Sequence, residues 1–395
     1  MMNTTLPARP NILGYEERLL QALFEVYGSR LEGVMQALGK PPKEYALRVN
    51  TLKADVERVI LALQEMGAEC RPSPLLEEVI LVKVNGPYQL ERSGKTVVAR
   101  KGAAESVMLG SRLYAPGVLK TEKYRVGEMV SVEDPKGHFV GKGIAILPPK
   151  TDDQKRRGVA VDTKESIYRL PPLRDSKLYE LGLIREQSIP AMIASKVLEP
   201  RKGETIVDMC AAPGGKTLHI AQLIGNEGRV YAFDHSEGRM TALLADMARL
   251  GIKCVVPICH DSRYIDKDFP TLKADRVIVD PPCSALGVRP KLYEETTYRK
   301  VEGCAEYQKH FMRAASRIVK RGGVIVYSTC TLTLEENEAI VRFSIDELGL
   351  ELEDQIIKVG EGGFGEGLGK VQRFSPDLLD MPGYFIAKFI KTRGD

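Results

Sequence analysis

Two short segments carry cysteines in settings where a thiol could do chemistry. Asp280 is followed by two prolines and then by Cys283 in the sequence DPPCSALG, and Cys330 lies in the sequence YSTCTL. Each proline fixes its own φ and removes a donor, so the first segment predicts a rigid turn that holds a carboxylate and a thiol together. Both segments follow apolar runs typical of buried strands. We therefore expect the two cysteines to lie in one cleft.

A thiol beside a carboxylate is suited to covalent addition to an electron-poor ring. Methylation of cytosine at carbon 5 needs such an assembly, because that carbon becomes nucleophilic only after something adds at carbon 6. A carboxyl group could stabilise charge at the N3 side of the ring, and a base must later remove the proton from carbon 5. One cysteine alone is more often a small buried apolar residue. Two cysteines at adjacent strand ends favour the reactive interpretation.

A third segment, DMCAAPGGKT at residues 208–217, predicts a nucleoside-binding site. Its two glycines allow a sharp turn from strand to helix and leave free N–H groups for a carboxylate or phosphate. Asp234 ends the next strand, twenty residues after Gly214. This spacing suits hydrogen bonds from ribose hydroxyls to a carboxylate. Asp261, after the third strand, could accept a hydrogen bond from an adenine amino group.

The GGKT ending of this segment allows a second interpretation, because it resembles the phosphate loop G-x-x-x-x-G-K-[ST] of NTPases. The position of the leading glycine is Cys210, however, and no clear magnesium-binding acidic strand follows. A P-loop-like NTPase is therefore the less favoured alternative.

These segments lie where apolar strands alternate with helical patterns such as Met240 to Leu250. This alternation predicts an α/β domain with a parallel sheet covered by helices on both faces. Ligands of such sheets bind at the carboxyl ends of the strands. The predicted strands are 205–209, 229–234, 254–258, 275–280, 323–329 and 384–390. The Gly-rich segment 361–370 predicts a mobile loop.

The preceding half of the chain predicts two smaller units. Helical periodicity over residues 11–65, interrupted by the strand-like Tyr45–Lys53, indicates an α+β unit at 1–94. Short apolar stretches between turn residues indicate a β-barrel at 95–170. This segment holds 15 Lys and Arg against 9 Asp and Glu, whereas the whole chain has a net charge of +4. Such a surplus suits contact with phosphates or a solvated surface, and charge alone does not decide. Residues 171–395 form the expected α/β domain.

Composition excludes several classes of protein. No apolar run approaches the roughly 18 to 20 residues that a membrane span requires, and the first twenty residues lack a signal sequence. The seven cysteines are odd in number and form no CxxC pair, which argues against a disulfide framework or a zinc ribbon. We expect a cytoplasmic protein with free thiols, no membrane attachment and no metal.

The motifs DMCAAPGGKT, DPPCSALG and STCTL resemble those of the Nop/Sun (NSUN) family of RNA cytosine-5 methyltransferases, and similarity reaches RFSPDLLDMPGYFIAKF and RVNTLK. The resemblance implies a Rossmann-like domain that uses S-adenosyl-L-methionine. It assigns attack on carbon 6 to Cys330 and assistance in product release to Cys283, with Lys216 and Asp280 organising the cytosine. The implied cofactor contacts are Cys210, Ala211, Ala212, Pro213, Gly214, Gly215, Lys216, Asp234, Arg239, Asp261 and Asp280. The chain departs from the family at Ala285, where Gly is common, and at Thr331, where Ser is frequent; both are changes between small residues.

Val98 to Val118 resembles a PUA domain, a small RNA-binding barrel. Its insertion between the N-terminal unit and the catalytic domain resembles the sixth human NSUN enzyme and its archaeal relatives. The resemblance implies RNA as the partner, specifically a tRNA cytosine near the 3′ end of the acceptor stem. The candidate RNA contacts are Lys95, Arg100, Lys101, Lys120, Lys123 and Arg125. A catalytically inactive RNA-binding protein is a further alternative, which the presence of both cysteines and Asp280 disfavours.

Overall fold

The N-terminal part of the chain forms helices that pack on a small sheet. The structure is a computed structural model that describes residues 13–150 and 157–392. Residues 1–12, which belong to the segment expected to carry no signal sequence, lie outside the described residues. The elements are α1 Glu17–Tyr27, α2 Leu31–Leu38, β1 Glu44–Val49, α3 Val56–Glu65, β2 Cys70–Pro72 and β3 Val79–Lys83, with a 3-10 turn at Gly28–Arg30. The predicted helix–strand–helix pattern is confirmed.

The basic segment folds into a six-stranded sheet of order β5-β9-β8-β7-β4-β6. Buried valines of this sheet, including Val97, Val130 and Val161, pack with Val107 of its helix. Its elements are β4 Lys95–Ala99, α4 Lys101–Val107, β5 Leu113–Tyr114, β6 Val118–Thr121, β7 Met129–Glu133, β8 Phe139–Ala145 and β9 Val159–Ser166, with a 3-10 turn at Ala115–Gly117. Strands separated by turns were expected here, and the structure confirms them.

The rest of the described chain alternates strands and helices. Its helices are α5 Lys177–Glu180, α6 Ile189–Val197, α7 Gly215–Leu223, α8 Glu237–Leu250, α9 Ile265–Asp268, α10 Tyr298–Ile318, α11 Glu338–Asp346 and α12 Pro376–Leu379, with 3-10 turns at Leu173–Asp175 and Ser262–Tyr264. Its strands are β10 Ile184–Glu186, β11 Thr205–Asp208, β12 Arg229–Asp234, β13 Val255–Cys259, β14 Ala274–Val279, β15 Val319–Thr329, β16 Glu351–Glu353, β17 Gln372–Phe374 and β18 Tyr384–Ile390.

The large sheet has the order β13-β12-β11-β14-β15-β18-β16, and β17 also pairs with β18. Five neighbouring strands of this sheet run parallel, namely β13, β12, β11, β14 and β15, so their carboxyl ends lie at one edge. The expectation of an entirely parallel sheet was wrong for β18, which runs antiparallel to β15. An apolar run shows that a strand is buried but does not show its direction, and sheets with an antiparallel strand at one side are common. Two apolar cores, one on each face, include residues of α6 to α8 and of α9 to α11 respectively.

Strand β10 follows the six-stranded unit in sequence but belongs to the N-terminal sheet, whose order is β10-β1-β3-β2. It pairs antiparallel with β1, with Leu47 opposite Glu186 and Arg48 opposite Arg185. The N-terminal unit is therefore completed by residues that follow the barrel in sequence.

Candidate active site

The two cysteines singled out in the sequence lie side by side. Strands β14 and β15 are parallel neighbours with Val279 opposite Tyr327, so the residues that follow them emerge at the same edge. The Sγ atoms of Cys283 and Cys330 are 3.4 Å apart. Both side chains line a cavity of about 240 Å³. The expectation that one cleft holds both cysteines is confirmed.

The contact between the thiols makes them unequal. A hydrogen bond from Cys283 lowers the pKa of Cys330, and the charges of Lys216 and Lys291 act in the same direction, whereas burial and Asp280 oppose them. The same bond, together with burial, raises the pKa of Cys283 well above its ordinary value. The directions of these two shifts favour the thiolate on Cys330 over that on Cys283.

Asp280 is held by three side chains at the cavity wall. The Lys216 ammonium lies 2.6 Å from Asp280 Oδ2. The hydroxyls of Ser328 and Tyr384 donate to Oδ1 over 2.9 and 3.1 Å. Burial opposes the charge on Lys216, but Asp280 and Tyr384 outweigh it and raise its pKa. This arrangement provides a fixed carboxylate and a fixed ammonium beside the thiols.

A buried carboxylate supports the turn that carries Cys283. Glu336 is 0% exposed and accepts hydrogen bonds from the Ser284 amide over 2.9 Å and from Gln308 Nε2 over 2.9 Å. The Ser284 hydroxyl also donates to Glu336, and Gln308 Nε2 donates to the carbonyl of Pro282 over 3.1 Å. Burial raises the pKa of Glu336. Sequence reasoning missed this residue, because a glutamate in the run LEENE looks like part of a solvated helix end.

The segment after Cys283 lies close to both the second cysteine and the last strand. The amide of Gly287 donates to the carbonyl of Cys330 over 2.9 Å. A Cβ atom at Gly287 would lie 2.1 Å from the carbonyl oxygen of Gly383, so only glycine fits there. Ala285, which departs from the family pattern, has a φ of +56°. This left-handed conformation is one that glycine adopts at little cost and alanine does not.

The predicted glycine-rich loop joins β11 to α7. Gly214 has a φ of +101°, and α7 begins at the next residue. The Thr217 hydroxyl donates to Asp208 over 2.7 Å, which ties the two ends of the loop together. Of the predicted loop residues, Cys210 and Ala212 line the cavity. Ala211 and Gly214 are buried, Gly215 and Lys216 are partly exposed, and Pro213 is exposed.

The three predicted polar residues of the rim all line the same cavity: Asp234, Arg239 and Asp261. Asp234 accepts hydrogen bonds from the Ser236 amide and from Arg239, both over 2.9 Å. The hydrogen bonds from Arg263 lower the pKa of Asp261. His235, His260 and Phe311 also line the cavity, and sequence reasoning missed them because they lie outside the recognised motifs.

The candidate RNA contacts lie on the strands and the helix of the six-stranded unit and on the connections between them, and none of them lines this cavity. Lys95, Arg100, Lys120, Lys123 and Arg125 are exposed. Lys101 instead forms an ion pair with Glu105 over 2.8 Å. Glu105 accepts a hydrogen bond from the amide of Leu292 over 3.0 Å, so α4 contacts the segment that follows Cys283.

Over residues 13–150 and 157–392, no helix has the length and apolar character needed to cross a bilayer. The same residues contain no group of three His, Cys, Asp or Glu side chains arranged to hold a metal ion.

Three known families match successive parts of the chain. Residues 195–390 match 16S rRNA methyltransferase RsmB/F, residues 95–167 match the PUA domain, and residues 15–109 match the ferredoxin-like domain of RsmF/B-like methyltransferases. The tRNA (cytosine(72)-C(5))-methyltransferase of Pyrococcus horikoshii is 44% identical over 91% of this chain and 92% of its own length. The human tRNA (cytosine(72)-C(5))-methyltransferase NSUN6 is 30% identical over 92% of each chain.

A solved structure agrees with these similarities over nearly the whole fold. The crystal structure of NSun6 from Pyrococcus horikoshii with SFG superimposes with a TM-score of 0.88 and 41% identity, covering 97% of this chain and 100% of the other. The matches to this structure and to the two relatives each cover at least 91% of this chain. The chain thus belongs to the NSUN family of RNA cytosine-5 methyltransferases, enzymes with a Rossmann-like S-adenosylmethionine-dependent domain.

Proposed function

We propose that this enzyme methylates carbon 5 of a cytosine near the 3′ end of the tRNA acceptor stem, the position numbered 72 in the names of its relatives. The observation that carries the chemistry is the thiol pair, with 3.4 Å between Cys283 and Cys330, beside the ion pair of Lys216 and Asp280. Cytosine-5 methylation requires a nucleophile for carbon 6, a group that stabilises charge at the N3 side and assistance in removing the proton from carbon 5, and these side chains are suited to the three tasks.

The proposed cofactor is S-adenosyl-L-methionine, which supplies an electrophilic methyl group when bound. SFG, present in the similar archaeal structure, is an analogue of it. The residues at the cavity fit such a ligand. Asp234 has acceptor capacity left for one ribose hydroxyl, because a carboxylate has about four lone-pair sites and three protein donors use it. Asp261, which accepts hydrogen bonds from the amide and guanidinium of Arg263, lines the cavity at the proposed adenine side. The first-turn amides of α7 lack intrahelical acceptors. The full proposed contact set remains Cys210 to Lys216, Asp234, Arg239, Asp261 and Asp280.

The proposed reaction begins with Cys330, whose thiolate forms an S–C6 bond and makes carbon 5 of the ring nucleophilic. Lys216 and Asp280 hold the pyrimidine, and a proton held between them and the ring stabilises the charge that develops at the N3 side. After carbon 5 gains the methyl group, its proton passes to water, and Cys283 assists this transfer. The electron pair of the C5–H bond then forms the C5–C6 double bond, and the S–C6 bond breaks to release Cys330 as thiolate.

We further propose that the RNA lies across the PUA domain as well as the cavity. The supporting feature is a group of exposed cations, Lys95, Arg100, Lys120, Lys123 and Arg125. Lys101 belongs to the same proposed set, although it is only partly exposed and forms an ion pair with Glu105. We propose three domains, at residues 1–94, 95–170 and 171–395. Residues 184–186 of the last domain serve as a strand of the first.

Transfer of a labelled methyl group to tRNA tests the function. We expect label in a tRNA transcript with cytosine at position 72, mapped to that base, and none when uridine replaces it. Label at another position would overturn the proposed target. Tight binding of ATP without affinity for S-adenosylmethionine would instead favour the alternative NTPase interpretation.

A further inference from the structure

The motif RVNTLK lies far from the cysteines in sequence, yet its arginine reaches the cofactor loop. Arg48 on β1 and Arg185 on β10 are opposite each other in the N-terminal sheet. Arg48 Nη1 donates to the carbonyl of Gly215 over 2.9 Å. Arg185 Nη2 donates to the carbonyl of Pro213 over 3.0 Å. Two neighbouring cations of one sheet thus bind two carbonyls on either side of Gly214.

Both arginines are positioned by further contacts. Arg48 is 1% exposed and also donates to the side chain of Gln187. Arg185 forms an ion pair with Asp246, and burial lowers the pKa of Arg185 to about 10, which leaves it charged near neutral pH. A buried cation is costly unless hydrogen bonds compensate its lost hydration. The loop carbonyls provide part of that compensation.

The loop has a reason to need such support. Glycines lose more conformational freedom on ordering than other residues, and Gly214 and Gly215 are adjacent at the turn into α7. The amide of Gly214 donates to Ala211 over 2.7 Å, so the peptide between residues 213 and 214 is held at both its carbonyl and its amide. Arg48 fixes the carbonyl of Gly215 in the same way. Because this peptide is trans, the amide of Lys216 points away from Arg48.

We infer that Arg48 and Arg185 are positioning residues that hold the cofactor loop in its binding geometry, so the N-terminal unit helps to build a site that it does not line. Neither arginine lies on the cavity wall. The role rests on the proposed binding of S-adenosylmethionine by residues 210–216. Its physical basis is preorganisation, because a loop ordered before binding loses less entropy when the ligand arrives.

If the arginines only joined the domains, loss of another contact across the same junction should weaken cofactor binding as well. Asn50 of the same motif distinguishes this general role from the proposed one. Asn50 Nδ2 donates to the carbonyls of Gly182 and Leu250 over 2.9 and 2.8 Å. It therefore also binds two carbonyls across this junction, but neither belongs to the cofactor loop. Asn50→Ala is the matched control for loss of junction contacts.

Calorimetric titration with S-adenosylmethionine tests the inference in the full chain. We expect Arg48→Met and Arg185→Met each to weaken binding roughly tenfold, the loss of one charge-assisted hydrogen bond. Arg48→Lys, which retains the charge and a donor, should recover part of this loss. The Kd for tRNA should change less than twofold in every variant, and Asn50→Ala should lower stability in urea while leaving cofactor affinity within twofold.

Three outcomes would overturn the inference. Wild-type affinity for the cofactor in folded Arg48→Met and Arg185→Met proteins would show that the loop is ordered without them. An equal loss in Asn50→Ala would assign the effect to the junction as a whole. If an Arg→Met variant does not fold, Arg185→Lys decides, because it keeps a charge beside Asp246 but offers one donor nitrogen; unchanged affinity there counts against the role. Absence of binding by the wild-type protein would overturn the proposed cofactor itself.

Discussion

The Sγ atoms of Cys283 and Cys330 are in hydrogen-bonding contact at 3.4 Å. One proton between the two sulfurs favours the thiolate on Cys330 and keeps Cys283 protonated, since the pKa of the first is lowered and that of the second is raised. This inequality is what the two proposed roles require, attack on the ring by Cys330 and assistance in release by Cys283.

Replacement of the proposed nucleophile should abolish the reaction. Cys330→Ala removes the only sulfur that we assign to carbon 6, so methylation should fall to the detection limit and no covalent protein–RNA complex should form. Cofactor binding, measured by calorimetry, should persist within about threefold. Residual turnover together with an adduct would transfer the role to another residue.

Replacement of the second cysteine should leave attack intact and impair release. With Cys283→Ala, we expect a complex of protein and methylated RNA to accumulate and to survive denaturing electrophoresis, because proton removal from carbon 5 is slowed. The double variant with Cys330→Ala is the control and should show no complex. Adduct in Cys330→Ala and none in Cys283→Ala would reverse the two assignments.

The pH dependence of alkylation should report the contact between the thiols. Iodoacetamide reacts with the thiolate, so labelling of Cys330 should rise with pH through a pKa below the ordinary thiol value. Cys283→Ala removes the hydrogen bond that is the largest cause of this lowering, and the curve should move to higher pH. Labelling of the exposed Cys259 in the same samples provides the reference. A curve that stays in place would mean that the hydrogen bond does not set the pKa.

Neutralising the barrel cations should weaken RNA binding and its dependence on salt. For Lys120, Lys123 and Arg125 changed together to Gln, we expect the slope of log K against log salt to flatten by roughly 0.7 to 0.9 for each lost phosphate contact. Cofactor affinity should be unchanged. Lys320 and Arg321, at the other end of β15 from Cys330, are the control pair. Equal effects from both sets would indicate nonspecific attraction.

Ala285, which follows Cys283 and has a positive φ, allows a test of stability. Ala285→Gly should raise the free energy of unfolding by about 1 kcal/mol, since glycine adopts a positive φ without steric cost. Ala242→Gly, on the exposed face of α8, should lower it by about 1 kcal/mol. Urea denaturation measures both. A loss of stability in Ala285→Gly would show that the alanine side chain contributes more by packing than its conformation costs.

Much of this architecture was predictable from local sequence patterns. The strand that ends at Asp234 and the strands that end just before Asp280 and Cys330 were predictable, because buried parallel strands are nearly continuous runs of Val, Ile and similar residues. The meeting of Cys283 and Cys330 followed from adjacency of two strand ends. These features depend on a few consecutive residues and on general rules of sheet topology.

Features that depend on distant contacts were not predictable. Strand β10 has only three residues and an unremarkable sequence, and its place in the N-terminal sheet depends on pairing with β1 across the inserted barrel. Glu336 acts on the Cys283 turn from a different segment, and Tyr384 reaches Asp280 only because β18 lies antiparallel beside β15. Arg48 was part of a recognised motif, but its carbonyl partner on the cofactor loop is 167 residues away in sequence.

The barrel begins and ends at one point of the molecule. Asn85 and Arg169 form an antiparallel bridge, with hydrogen bonds of 3.1 and 2.8 Å between their backbones. The chain thus departs and returns at neighbouring positions, as it does where one domain is inserted into another. A short connection across this bridge could replace the barrel while β10 kept its pairing with β1, so the barrel could be gained, lost or exchanged during evolution without breaking the N-terminal sheet.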